Sequence, residues 1–137
     1  MQSGNYIASD LLEGQFGKCT LEIIAQDPLT RLVTISLAET SEVLEVAHTT
    51  FAKEGIAAFS SIHAKVLDGE FMGKVFKMKG VPFFREVESL TNRAIPKNIA
   101  RAFGEDDFTV ILVNVYVGFT KIHYAQIIEI YHPKVTF

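Results

Sequence analysis

Two long runs of β-branched and aromatic residues dominate the hydrophobic pattern of this chain. Residues 108–117 read Phe-Thr-Val-Ile-Leu-Val-Asn-Val-Tyr-Val, and residues 122–133 read Ile-His-Tyr-Ala-Gln-Ile-Ile-Glu-Ile-Tyr-His-Pro. A short break containing Gly118 separates them, so the pattern predicts a long β-hairpin. On the second strand Glu129 shares a face with Ala125, Ile127 and Tyr131, because side chains alternate along a strand. Two placements follow. Either this is an edge strand with Glu129 in water, or the carboxylate is buried and needs a cationic or hydrogen-bonding partner.

Upstream, the period changes several times. Ser9 and Asp10 precede Leu11-Leu12-Glu13, Asp10 and Glu13 have capping-box spacing, and Gly14 or Gly17 can close the short helix. Residues 20–26 read as a strand ended by Asp27-Pro28, since proline cannot donate to a ladder. Arg31 opens the next strand, where Arg31, Val33, Ile35 and Leu37 fall on one face, and its long stem can carry the charge to water. A polar turn over 39–42 leads to a returning strand over 43–51, with His48 in register with Leu44 and Val46. Ile56, Phe59, Ile62, His63, Val66 and Leu67 then recur at three and four, which predicts an amphipathic helix or a pair of short helices ended by Gly69. Residues 71–76 form one more helical turn, broken at Gly80-Val-Pro82. Residues 83–90 are extended, with Phe83, Arg85 and Val87 on one side. Pro96 fits the start of a helix with Ile99, Ala100 and Phe103 as its buried stripe and Gly104 as its stop.

Strands joined mainly by hairpins, with helices interposed, describe an α+β fold: an antiparallel sheet covered on one face by helices. The 137 residues make one domain, 1–137, large enough for a single core. The other sheet face, toward which Arg31 and Glu129 could point, is then a candidate for a ligand cavity closed by the helical segments.

Composition narrows the function. A net charge of −3, with Lys and Arg scattered, gives no basic footprint, so no nucleic-acid contact by this chain itself is expected. No apolar run is long enough to span a membrane, and neither a signal peptide nor a membrane partner is expected. Cys19 is the single cysteine, which fits a cytoplasmic setting and excludes an internal disulfide. It reads as a small buried hydrophobe. No glycine-rich phosphate loop is present, and His48, His63, His123 and His132 never fall at metal-ligand spacing, so no metal is expected. What remains is Arg31, Glu129, the Phe71-Met72-Gly73 turn and Arg85-Glu86. An arginine and a glutamate meeting in one apolar cavity suit a small anion that also carries a hydroxyl, because guanidinium grips a carboxylate bidentately and the glutamate accepts the hydroxyl proton.

These residues resemble the chorismate lyase fold, shared by chorismate pyruvate-lyases and the UTRA effector-binding domains of GntR-type regulators. Leu11-Leu12-Glu13, Phe16-Gly17 and Leu21-Glu22-Ile23 are similar to that family's opening helix and first strand. Arg31 matches the arginine that begins the second strand and holds a substrate carboxylate in the lyases. His48 falls where the lyases carry a polar or basic residue. Residues 67–76 resemble the signature turn, with Met72 and Gly73 in its paired positions. Arg85-Glu86 resembles the strand after it, and Glu129 with Pro133 the end of the last strand.

The resemblance implies a chorismate pyruvate-lyase-like enzyme that eliminates pyruvate from chorismate to leave 4-hydroxybenzoate. Arg31 and Glu129 would be its catalytic pair, Arg31 on the ring carboxylate and Glu129 at the hydroxyl or ether end. His48, Met72, Gly73 and Arg85 would bind substrate. No cofactor is implied, since forming the aromatic ring drives the elimination. The alternative is a non-catalytic effector-binding domain of UTRA type. Phe51 in place of a proline, and the lack of an arginine in Val113-Asn114-Val115, favour it. The usual N-terminal DNA-binding helices are absent from the chain, so a regulator would be truncated or free-standing. Either reading implies a small carboxylate-bearing ligand and leaves a homodimer open.

Overall fold

The structure, a computed structural model, describes residues 8–94 and 107–136. Helix α1 (Ala8–Phe16) leads into three strands, β1 (Cys19–Gln26), β2 (Thr30–Leu37) and β3 (Val43–Phe51). Three helices follow, α2 (Lys53–Ala58), α3 (Ser60–Leu67) and α4 (Met72–Met78), and then β4 (Phe83–Ala94), β5 (Asp107–Val117) and β6 (Ile122–Tyr131). The expected α+β architecture is present. The helix expected from Pro96 lies outside the described residues.

All six strands form one antiparallel sheet in the order β1-β2-β3-β6-β5-β4. Each half is a meander of three consecutive strands, and the halves join where β3 pairs with β6. The last strand therefore lies in the middle of the sheet, between β3 and β5, which rules out an edge position for Glu129. Local turn chemistry sets the hairpins. Asp27 accepts backbone N–H bonds from Leu29 and Thr30 at 2.9 and 2.8 Å, and Gly118 supplies the positive φ of 81° at the β5–β6 turn.

The crossover from β3 in the centre to β4 at the far edge carries α2, α3 and α4 over one face of the sheet. Leu12, Ile62, Val66, Met72, Val75 and Phe76 from the helices pack there on Val33, Ala47, Val113, Val115 and Ile127 in a single core. On the opposite face Val46, Phe108, Val110 and Ile130 form a smaller cluster. Alternation puts Arg31, Glu45, Arg85 and Glu129 on the helix-covered face, each buried. This corrects the expectation that the charged residues point to the uncovered face: the helices close over the surface that bears them. At the other end of the chain, Asp10 and Glu13 form no reciprocal cap. Glu13 instead accepts from the Cys19 backbone N–H at 3.0 Å and from Lys74 at 2.6 Å, which ties α1 to β1 and α4.

One close approach fixes the helical layer to the sheet. A Cβ on Gly55 of α2 would stand 2.7 Å from both the His123 carbonyl oxygen and Tyr124 Cα, inside any tolerated contact with backbone. Alanine is the better helix former by about 1 kcal/mol, but the clash outweighs it, so Gly55→Ala lowers stability by about 1–3 kcal/mol in chemical denaturation. Gly14→Ala in α1, where nothing lies within 4 Å, is the matched control and leaves stability unchanged or raised.

Candidate functional site

The two halves of the sheet each send charged side chains to the same place. From the first half come Arg31, at the start of β2, and Glu45, near the start of β3. From the second come Arg85, on edge strand β4, and Glu129, on central strand β6. All four line one cavity between the sheet and the helices α1 and α4. The space open to the centre of a water molecule is about 50 Å³, room for a few waters, so the hollow is tight. Val33, Ile35, Ala47 and Ile127 form its apolar floor, and Phe71, Met72 and Gly73 close it from above.

Register explains the convergence. Ala47 pairs with Glu129 across the central seam, and Glu45 pairs with Tyr131. Arg85 pairs with Val115, and its side chain reaches over β5 to β6. There it makes a two-pronged contact with Glu129, Nη1 donating to Oε2 at 2.7 Å and Nη2 to Oε1 at 2.6 Å. Tyr131 donates its hydroxyl to Glu129 Oε1 at 2.8 Å. The buried carboxylate thus has the partners that burial demands, in the geometry that makes a charge-assisted pair strongest.

Arg31 is held differently. Its Nη1 donates to the carbonyl oxygens of Val66 at 2.8 Å and Glu70 at 3.4 Å, where α3 ends and the chain turns toward α4. Its Nε is buried without a hydrogen-bond partner among the described residues. Burial works against its charge, and Tyr124 and Glu45 only partly support it. Two further polar atoms in the cavity wall are also unpartnered, Ser9 Oγ and Glu45 Oε1. Buried polar atoms without partners are uncommon, and three around one hollow mark a place that water or a ligand completes. Behind Arg31, His63 Nδ1 and the Tyr124 hydroxyl share a 2.7 Å hydrogen bond within an aromatic cluster that includes Phe51 and Phe76. Burial, and then Arg31, lower the pKa of His63. Burial raises that of the Tyr124 hydroxyl.

Of the residues singled out from sequence, Arg31, Met72, Gly73, Arg85 and Glu129 line the cavity. His48 does not. It is exposed on the opposite face of β3, because alternation from Ala47 and Thr49 turns it away from the helices. The expected register of His48 with Leu44 fails at the irregularity between Ile35 and Ser36 in the β2–β3 pairing, which returns Leu44 to the core. Two wall residues escaped the sequence reading. Ser9, expected to flank the first helix, lies inside α1 and is buried, with no hydrogen-bond partner for its hydroxyl among the described residues. Glu45 sits inside an apolar run, and its alternation with Ala47, Thr49 and Phe51 is the sequence signal that places it on the buried face. Cys19 is buried, with its thiol pKa raised by burial first and Glu13 second. Among the described residues no cluster of three or more His, Cys, Asp and Glu could hold a metal ion, and no helix is long and apolar enough to cross a membrane.

Burial, together with the Glu129 charge, raises the Glu45 pKa well above its ordinary value of 4.5, while Arg85 and Arg31 oppose the shift. A raised native pKa favours folding below the unfolded value and loses that advantage as pH rises toward the native one. Between those limits the wild type therefore loses stability relative to Glu45→Gln, by about 1.4 kcal/mol per pH unit. Denaturation midpoints of both proteins across the pH range measure it, and parallel curves contradict it. Arg85→Ala strands the Glu129 carboxylate and costs about 3–5 kcal/mol by the same assay.

No protein-family model matches the sequence, and no curated protein does. Among solved structures, the chain is similar to the gene product SA0254 of Staphylococcus aureus, with a TM-score of 0.62 at 9% identity, over 89% of this chain and 87% of that one. The C-terminal domain of Yurk from Bacillus subtilis gives a TM-score of 0.45 at 13% identity, over 82% and 86%. Similarity to the first at so low an identity concerns the fold: this chain has the arrangement of strands and helices seen in the SA0254 protein.

Proposed function

We propose that this chain is a binding domain for a small carboxylate-bearing molecule, received in the cavity by Arg31. The observation that carries this reading is the state of that guanidinium. It is buried, it is hydrogen-bonded through one nitrogen to backbone carbonyls, and among the described residues no carboxylate forms an ion pair with it. An anionic ligand supplies the missing counter-charge, and Ser9 Oγ is an unspent hydroxyl in the same wall. The chorismate lyase-like resemblance and the cytoplasmic setting belong to this proposal.

A second reading, elimination of pyruvate from chorismate, draws on the presence of Arg31 and Glu129 in one shielded hollow. Both oxygens of Glu129 are already engaged by Arg85, and one also by Tyr131. In that reading the carboxylate acts by position and fixed charge rather than by taking a proton. The bidentate engagement of Glu129 is why binding is the first reading and catalysis the second. A ring-sized ligand also requires α1 and α4 to move outward, against the Glu13–Lys74 contact that links them.

The test is incubation with chorismate, following 4-hydroxybenzoate by absorbance and binding of both compounds by calorimetry. Product formation favours the lyase, and binding without turnover favours the binding domain. In either case Arg31→Ala weakens carboxylate binding by about 1.5–3 kcal/mol, roughly ten- to a hundredfold in Kd. Unchanged affinity in that variant removes Arg31 from the site.

A further inference from the structure

Glu45 is the one polar group of the cavity that neither the fold nor the Arg31 site explains. It leaves β3 on the face shared by Ala47 and Thr49, opposite Ile35 of β2 and Tyr131 of β6. Only 1% of its surface is exposed, yet Oε1 has no hydrogen-bond partner among the described residues. The charged and titratable groups facing it are Arg31 from β2, Arg85 from β4, Glu129 and Tyr131 from β6, and the Cys19 thiol from β1. Helices α1 and α4 add Ser9, Met72 and Gly73 to the same cavity and contribute no charge.

The charges decide which form of Glu45 fits an occupied cavity. Arg85 and Glu129 neutralise each other, leaving Arg31 as a single positive charge. If Glu45 is un-ionised, an incoming anion brings the cavity to neutrality. If Glu45 is ionised, the cavity is already neutral and an anion leaves a net negative charge in a protein-lined, partly enclosed space, where like charges repel more strongly than in bulk water. An un-ionised carboxyl has one O–H to give, and among the described residues the Glu45 Oε1 atom has no hydrogen-bond partner. Position then sets the shape of the ligand. Arg31 pairs with Thr49, four residues along β3 from Glu45, so the two backbone positions are roughly 13 Å apart at about 3.3 Å per residue. Both side chains line the same hollow.

We infer that Glu45 binds ligand as a carboxylic acid, donating its O–H to an uncharged oxygen at the end of the molecule remote from the carboxylate that Arg31 holds. The cavity thus selects elongated oxo-carboxylates over plain carboxylates of equal length. The inference rests on the Arg31 anion site and adds a second, specificity-determining contact to it.

Infrared spectroscopy tests the protonation in the complex. With pentanoate bound at neutral pH, wild-type protein carries the carbonyl-stretch band of a carboxylic acid, and Glu45→Gln lacks it. If the two spectra match in that region, the inference is overturned. Calorimetry with 4-oxopentanoate and pentanoate, which differ by one ketone, tests the contact. The wild type and Glu45→Gln, whose amide N–H replaces the donor, prefer the oxo-acid by about tenfold, and Glu45→Leu loses the preference. Wild-type affinity for 4-oxopentanoate falls about tenfold per pH unit above the Glu45 titration, because raising the pH removes the donor proton and adds a negative charge, whereas Glu45→Gln stays flat. Equal binding of both probes that is lost in Arg31→Ala keeps the anion site and overturns the role of Glu45. Binding of neither probe to wild type overturns both.

Discussion

The interior is organised by the cost of placing charge where water cannot follow. Arg85 reaches across β5 from the edge of the sheet to grip Glu129 at its centre with two hydrogen bonds, and Tyr131 adds a third. A buried ion pair of this kind contributes little net stability compared with apolar residues of similar shape, but losing one partner is expensive. Its consequence is constraint. With Glu129 fixed by Arg85, β4, β5 and β6 have one acceptable register, since a slip of one residue would turn the charged pair to the opposite face.

That pair also sets the electrostatics of everything beside it. Because Glu129 is already paired with Arg85, it is not the counter-ion of Arg31, and its charge discourages ionisation of Glu45. The cavity therefore presents a cation at one end and an un-ionised acid at the other, over an apolar floor. Its location follows from the topology: the two three-stranded halves meet at β3 and β6, and the helical crossover from β3 to β4 must pass over that junction. Gly55 lets α2 lie directly on the β6 backbone, and Glu13 with Lys74 joins α1 to α4 above the cavity. The molecule buries polar atoms it does not satisfy itself, Ser9 Oγ, Arg31 Nε and Glu45 Oε1, around one hollow. Proteins seldom retain such atoms without something to bind them.

Much of this was legible from alternation and punctuation along the chain. The period of two in residues 31–37 and 122–131, the turn residues at Asp27-Pro28 and Gly118, and the three-and-four recurrence from Ile56 to Leu67 give the strands, the hairpins and the short helices. The same alternation put Arg31 with Val33 and Ile35, Arg85 with Phe83 and Val87, and Glu129 with Ile127 and Tyr131, which places each on an apolar face. His48 shows how this reasoning fails: a one-residue irregularity in the β2–β3 ladder left Leu44 in the core while His48 kept its outward place. Glu45 is hard to place from sequence for a related reason, since one acid in an apolar run looks like a solvated residue until the strand is known to be covered.

What the sequence by itself determined is which residues share a face, because that follows from backbone geometry within one element. Which face the helices cover, and which strand becomes central, depend on pairings between residues far apart in the chain, and only the tertiary structure decided them. The pairing of Glu129 belongs to that second kind. Nothing local distinguishes Arg31 from Arg85 as its partner; the placement of β4 beyond β5, within reach of an arginine side chain, is what selects Arg85 and leaves Arg31 free of a carboxylate.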